Sequence, residues 1–137
     1  MFAAATEKLQ KIMGKVIHLS KSEFCRRVGD VDRQPHDWTY LGDKPAVVDF
    51  FAPWCGPCRA LSPVLDRLAD EYGNRVYIYK VDVDAEQELA SIFGVRSVPT
   101  LLFVPTKGKP RLVTGLQSVE KLHDAIDSML VPEGATH

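Results

Sequence analysis

The sequence predicts an α/β fold, a central mixed β-sheet flanked by helices on both faces. Three observations carry this. Residues 46–51 are continuously apolar apart from Asp49, the pattern of a central strand covered on both sides. Along the rest of the chain, short runs rich in Val, Ile and Tyr alternate with segments of helical period, in the order β-α-(loop)-β-α-β-α-β-β-α. The last two strands are separated by Thr106-Lys107-Gly108-Lys109, a polar, glycine-bearing turn that makes them a hairpin. The 137 residues suffice for one domain with a single core.

Residues 1–14 read as an N-terminal extension, weakly helical at best, with Leu9, Ile12 and Met13 on one edge and Gly14 as a stop. The domain proper spans 15–131. Val16, Ile17 and Leu19 suggest a short first strand. Ser20 and Glu23 have the spacing of a capping box, with Leu19 and Phe24 at the staple positions, so a helix starts at Lys21 and runs to about Val28. Gly29, Asp30, Asp32, Pro35, Asp37, Gly42, Asp43 and Pro45 punctuate a loop over 29–45. Its Trp38, Tyr40 and Leu41 are read as a small lid docked on the domain, serving packing rather than substrate binding.

Beyond strand 46–51, Leu61, Val64, Leu65, Leu68, Ala69 and Tyr72 mark a helix that Gly73 ends and that Pro63 is expected to kink. Val76 to Val83 is the next strand. Asp84 and Gln87 have capping-box spacing, and the helix they would open ends near Phe93 with Gly94 as its cap. Thr100–Val104 and Arg111–Thr114 form the hairpin strands. Ser118 caps a final helix with apolar positions Val119, Leu122, Ile126, Met129 and Leu130. The chain is expected to fray from Val131, leaving 132–137 as a tail.

Composition excludes several classes. Lys and Arg number 17 against 18 Asp and Glu, so nothing argues for nucleic acid or an acidic membrane surface as partner. No apolar run approaches the ~20 residues of a membrane span. The opening Met1-Phe2-Ala3-Ala4-Ala5 turns charged at once, too short for a signal peptide. The expectation is a cytoplasmic protein, or a periplasmic one if an export signal has been trimmed. Three cysteines cannot build a disulfide framework. A zinc site needs about four ligands, and His18, His36, His123 and Cys25 are scattered, so no metal is expected.

The chemistry concentrates in Trp54-Cys55-Gly56-Pro57-Cys58, directly after the central strand. If a helix opens at Cys55, residues i and i+3 share one face and the sulfurs can meet, as dithiol or disulfide. A Cys-x-x-Cys beside a β-α-β pattern is a redox motif. Asp49, six positions earlier, interrupts an apolar strand. It is either a buried carboxylate with a raised pKa or a solvent-facing group at a strand end. Lys80, taken alone, reads as a surface lysine. Cys25 reads as core filler, with a regulatory thiol as the sharper alternative.

The run Val48-Asp49-Phe50, the motif 54–59 with Pro63, Lys80-Val81-Asp82-Val83-Asp84, Gly94-Val95-Arg96-Ser97-Val98-Pro99-Thr100, Gly108 and Gly115 together resemble thioredoxin from about Lys15 to Leu130. The spacings between motifs match as well as the motifs. The resemblance implies the thioredoxin fold, with central strands parallel and the final hairpin antiparallel. It implies a general disulfide reductase that works on disulfide-containing proteins as a monomer and is reloaded by an NADPH-dependent thioredoxin reductase. It needs no cofactor beyond a redox-active Cys55–Cys58 pair. In the family the aspartate matching Asp49 accepts the proton of the deeper cysteine, the lysine matching Lys80 faces it, so that Lys80 is expected to pair with Asp49, and the proline matching Pro99 is cis. The residue before that proline, Val98 here, offers backbone hydrogen bonds to an extended substrate.

Cys55, at a helix N-terminus, gains thiolate character from unpaired N–H groups and the macrodipole. It is the expected nucleophile, and Cys58 the resolving thiol. Gly56 and Pro57 hold the sulfurs together and favour the oxidised form, so the reduced protein is a good donor. Trp54, Gly56, Pro57, Val95, Val98 and Gly115 would make a flat, partly apolar collar for substrate. The chain departs from the family at Phe51, usually tryptophan, at Pro53, often acidic, and in the longer loop 29–45. Two other readings stay open. One is an exported oxidase or isomerase, against which the Gly-Pro dipeptide argues. The other is a non-catalytic interaction subunit of the same fold.

Overall fold

The computed structural model describes residues 15–131; the expected extension 1–14 and tail 132–137 lie outside the described residues. Five strands form one sheet: β1 (Val16–His18), β2 (Ala46–Phe51), β3 (Tyr77–Asp82), β4 (Thr100–Val104) and β5 (Arg111–Thr114), in the spatial order β1-β3-β2-β4-β5. β1, β3 and β2 run parallel, while β4 joins β2 antiparallel and β5 returns antiparallel to β4. The mixed sheet and closing hairpin are as the sequence predicts, and the parallel central strands are as the resemblance implies.

Four helices cover the sheet: α1 (Lys21–Arg27), α2 (Gly56–Tyr72), α3 (Gln87–Ile92) and α4 (Val119–Leu130). Strand alternation sorts the core into two halves. Val48, Phe50, Tyr79, Val81, Leu102 and Val104 meet Phe24 of α1 and Leu89 of α3. Val47, Ile78, Leu101 and Phe103 meet Leu61, Leu65 and Leu68 of α2 and Leu122 and Ile126 of α4. β2 is buried from Ala46 through Phe50, as expected of a strand covered on both faces.

The caps follow local chemistry. Ser20 Oγ accepts from Glu23 N–H at 3.2 Å while Ser20 N–H donates to the Glu23 carboxylate at 3.2 Å, the reciprocal box read from the sequence. Ser118 Oγ accepts from Lys121 N–H at 3.2 Å. α2 continues through Pro63 to Tyr72. The expected capping box at Asp84 and Gln87 does not form. Asp82 Oδ1 takes the backbone N–H groups of Asp84 and Ala85 at 2.9 and 3.3 Å, making an Asx turn, and α3 starts only at Gln87. α3 closes at Gly94, φ 65°, with Val95 N–H on Ala90 C=O and Gly94 N–H on Ser91 C=O. This is a Schellman ending, which requires a left-handed residue.

The 29–45 loop is docked. Trp38, half-buried, packs edge-on against Phe24 and Phe93 at 6.2 and 5.9 Å between centroids. A Cβ on Gly29 would run into the Trp38 ring, so glycine there makes the room that the indole fills. Leu41 N–H donates to Val28 C=O at 2.9 Å, and the Tyr40 hydroxyl donates to Lys44 C=O.

Candidate active site

Cys55 is the N-cap of α2, with extended backbone (φ −84°, ψ 116°), and Gly56-Pro57 form the first helical turn. Proline is accommodated there because its missing N–H has no helical partner to lose. Cys58 N–H donates to Cys55 Sγ at 3.2 Å, so an orphan helical donor points at the sulfur, where negative charge is favoured. Cys55 and Cys58 Sγ stand at disulfide distance, with Cα atoms 5.2 Å apart. Both side chains are buried, against Ala52 and Val98.

The second wall comes from the segment before β4. The Val98–Pro99 peptide is cis, and Cys55 Sγ lies 3.6 Å from Val98 C=O. Pro99 C=O accepts Gly115 N–H at 2.8 Å, tying this turn to the end of β5. Of the expected collar, Gly56 and Pro57 are exposed and Val98 and Gly115 half-covered, while the half-covered Val95 packs against the Phe24 and Leu89 cluster rather than against the cysteines. Trp54 is 68% exposed and its indole N–H donates to Asp84 Oδ2 at 2.8 Å. It is therefore a surface ring held by a partner on the next β-α turn, not a core residue. Leu116, next to Gly115 in the chain, is a large apolar side chain left 54% exposed.

Asp49 is fully buried, and neither carboxylate oxygen has a protein hydrogen-bond partner. Burial pushes its pKa up to about 6, and the nearby Lys80 charge pulls the other way. Asp49 and Lys80 are register partners in the β2–β3 ladder. By alternation with Val47 and Ile78 they face α2. The expected pairing of Lys80 with Asp49 is not made: the Lys80 ammonium donates instead to Ser62 Oγ at 3.0 Å and sits 4.4 Å over the Phe51 ring, while both Asp49 oxygens lack a protein hydrogen-bond partner.

The structure thus brings Cys55, Cys58, Val98 and Pro99 together, and sets Asp49 and Lys80 side by side in the sheet that α2 covers. The role of Ser62, the Asp84–Trp54 hydrogen bond and the Phe51–Lys80 contact went unread in the sequence. Ser62 had a signal, a hydroxyl four positions after Cys58 on the buried face of α2. Asp84 had none, being thirty positions from Trp54. Cys25 is half-buried on α1, its Sγ 3.9 Å from Asp32 Oδ2.

The family model described as Thioredoxin matches residues 15–128. This chain belongs to the thioredoxin family. It is 41% identical over 110 residues to the thioredoxin of Borreliella burgdorferi, covering 80% of this chain and 93% of that one. It is 41% identical over 92 residues to the thioredoxin of Haemophilus influenzae, covering 67% and 76%. The crystal structure of spinach chloroplast thioredoxin f, long form, superposes with a TM-score of 0.71 at 34% identity, covering 92% of this chain and 95% of that one. The protein is a thiol-disulfide oxidoreductase, a protein-disulfide reductase that carries electrons on its own active-site cysteines. Its substrates are disulfide-containing proteins, and thioredoxin reductase is the general kind of partner that serves such proteins. Among the described residues no helix is long and apolar enough to cross a membrane.

Proposed function

We propose that Cys55 is the nucleophile, Cys58 the resolving thiol and Asp49 the proton acceptor of a reducing cycle. In the dithiol state the Cys55 thiolate attacks a substrate disulfide. A Cys55–substrate disulfide forms, the substrate S–S bond breaks, and the first substrate sulfur leaves to be protonated. Asp49 then takes the Cys58 proton, and the Cys58 thiolate attacks Cys55 Sγ. The internal disulfide forms, the mixed disulfide breaks, and the second substrate sulfur leaves as a thiol after protonation. The substrate gains two electrons, and thioredoxin reductase restores the dithiol with electrons from NADPH.

The observation that carries this is Cys55 as helix N-cap with Cys58 N–H aimed at its sulfur at 3.2 Å. That donor favours charge on Cys55 rather than on Cys58. A carboxyl held near pKa 6 by burial is suited to accept a proton near neutrality. In the same reading Val98 lends its backbone to an extended substrate strand, and Trp54, Gly56, Pro57 and Gly115 form the surface it lies on. Lys80 acts beside Asp49 through its charge. The protein works as a monomer in the cytoplasm. Family membership supports that compartment.

Dithiothreitol-driven reduction of insulin, with a redox titration against glutathione on the same sample, tests the reading. Accelerated insulin precipitation and a potential below that of glutathione are expected. No acceleration, or a potential above glutathione, overturns the reductive direction.

A further inference from the structure

Lys80 stands next to Asp49 on the same face of the sheet, yet its ammonium is committed elsewhere. Ser62 Oγ of α2 accepts it at 3.0 Å and the Phe51 ring lies 4.4 Å beneath it. Both Asp49 oxygens consequently remain without a protein partner in a fully buried site. Such a separation needs an explanation, because a lysine and a buried carboxylate in ladder register gain by pairing directly. Ser62 supplies one. It lies four positions after Cys58, so it falls on the α2 face that looks down on the sheet.

We propose that Ser62 is a positioning residue that, with Phe51, anchors the Lys80 ammonium away from Asp49 and so keeps the Asp49 carboxyl a proton acceptor for the resolving step. The inference rests on the role given to Asp49 above. The groups that bear on Asp49 are few. β3 contributes Lys80, and β4 contributes the uncharged Leu101 as ladder partner. α2, which covers this face of the sheet, carries Ser62 at the Lys80 ammonium and Cys58 one turn earlier. Lys80 is the one charged neighbour that shifts Asp49, and its effect opposes that of burial. A closer ammonium therefore lowers the acidity midpoint of Asp49, and a tethered one leaves it high.

Phe51 fits the same arrangement. A ring face offers the ammonium an electrostatic partner without a second carboxylate, and the family's usual tryptophan is absent at this position. The hydroxyl and the ring together hold the lysine by two neutral groups, without closing on Asp49.

The test is a carbon-detected NMR titration of the Asp49 carboxyl in reduced protein without substrate. In Ser62→Ala the freed ammonium reaches Asp49, and the midpoint falls by about one unit. In Ser62→Thr, which keeps a hydroxyl, the midpoint stays with the parent chain. An unchanged or raised midpoint in Ser62→Ala overturns the proposal, and so does a fall of equal size in Ser62→Thr. The pH profile of mixed-disulfide resolution in Ser62→Ala should move acidward in step with the carboxyl. A profile that stays in place while the carboxyl moves removes Asp49 from the proton transfer and leaves the tether intact. Failure of the tether and failure of the acceptor role are therefore distinguishable.

Discussion

Replacing Asp49 with Asn should make the protein more stable and a slower reductase at once. The side chain is fully buried and unpartnered, so its ionisation above the folded pKa is opposed by desolvation. Its pKa rises from the ordinary 3.8 to about 6, roughly two units, and each unit is worth about 1.4 kcal/mol. The sign follows from proton counting. In the unfolded chain the carboxyl ionises near 3.8, whereas in the folded chain it holds its proton until about 6. Between those values the folded state binds more protons, so stability falls as pH rises through the window. Above it the loss is complete, at about 3 kcal/mol. Asn is isosteric and cannot ionise, so it recovers this amount at pH 7 and almost none near pH 4. Urea unfolding reads the difference as a midpoint raised by roughly 2 M at pH 7 for a domain of this size. The two proteins should nearly coincide at pH 4. An unaltered midpoint at pH 7, or an equal gain at both pH values, refutes the desolvation argument. Stopped-flow measurement on the same variant should show slower release of the mixed disulfide near neutral pH, and unchanged kinetics removes Asp49 from the mechanism.

Three further outcomes can be checked. Iodoacetamide should alkylate Cys55 on the order of tenfold faster than Cys58 in the reduced protein at pH 7, with mass spectrometry of peptides as the readout; equal, slow labelling contradicts the assignment of the nucleophile. Changing Pro57 to His should stabilise the Cys55 thiolate, and hence the reduced form, raising the reduction potential by tens of millivolts in a glutathione titration. A potential that does not move counts against direction being set by the dipeptide. Trp38→Ala should cost about 2 kcal/mol in urea unfolding, less than a fully buried tryptophan because the ring is only half-covered. Insulin reduction at temperatures where the variant stays folded should be retained, and a loss of activity there would make the loop part of the substrate surface.

Most of the fold was legible because its signals are local. The Ser20/Glu23 box, the apolar run 46–51, Gly94 and the Gly108 turn each act within a few residues of themselves. The Asp84/Gln87 spacing misled for the same reason. A capping box competes with any other acceptor in reach, and the Asp82 carboxylate took the Asp84 and Ala85 N–H groups first. At the site, Cys55, Cys58 and the interruption at Asp49 were readable from type and spacing, and Pro99 from the resemblance to thioredoxin. What the sequence left open was which way Lys80 turns. That depends on Ser62, eighteen residues away, and on Phe51, on the neighbouring strand. Such a choice is made by tertiary geometry, and no periodicity records it.

The sheet divides stability from chemistry by parity. On one face Val48, Phe50, Tyr79 and Val81 meet α1, α3 and the docked loop in an apolar cluster, with Phe24, Trp38 and Phe93 in mutual edge contact. On the other, Asp49 and Lys80 interrupt an otherwise apolar surface under α2. A slip of one residue in β2 would turn Asp49 toward Trp38 and leave α2 over Val48. Register is therefore what delivers the carboxyl to the cysteine helix. The ionised carboxyl costs about 3 kcal/mol, against the 5–15 kcal/mol that holds a typical domain together. The loop over 29–45 lengthens the face that carries no charge, and Trp38 fills the space that Gly29 leaves open. Added packing on that face offsets part of the cost of a buried acid on the other, without placing any new group beside the cysteines. The Trp38→Ala and Asp49→Asn effects should accordingly add in the double variant, because the sheet separates the two side chains and they share no partner. A double variant that departs from the sum by more than about 0.5 kcal/mol would mean that the two faces are coupled through β2.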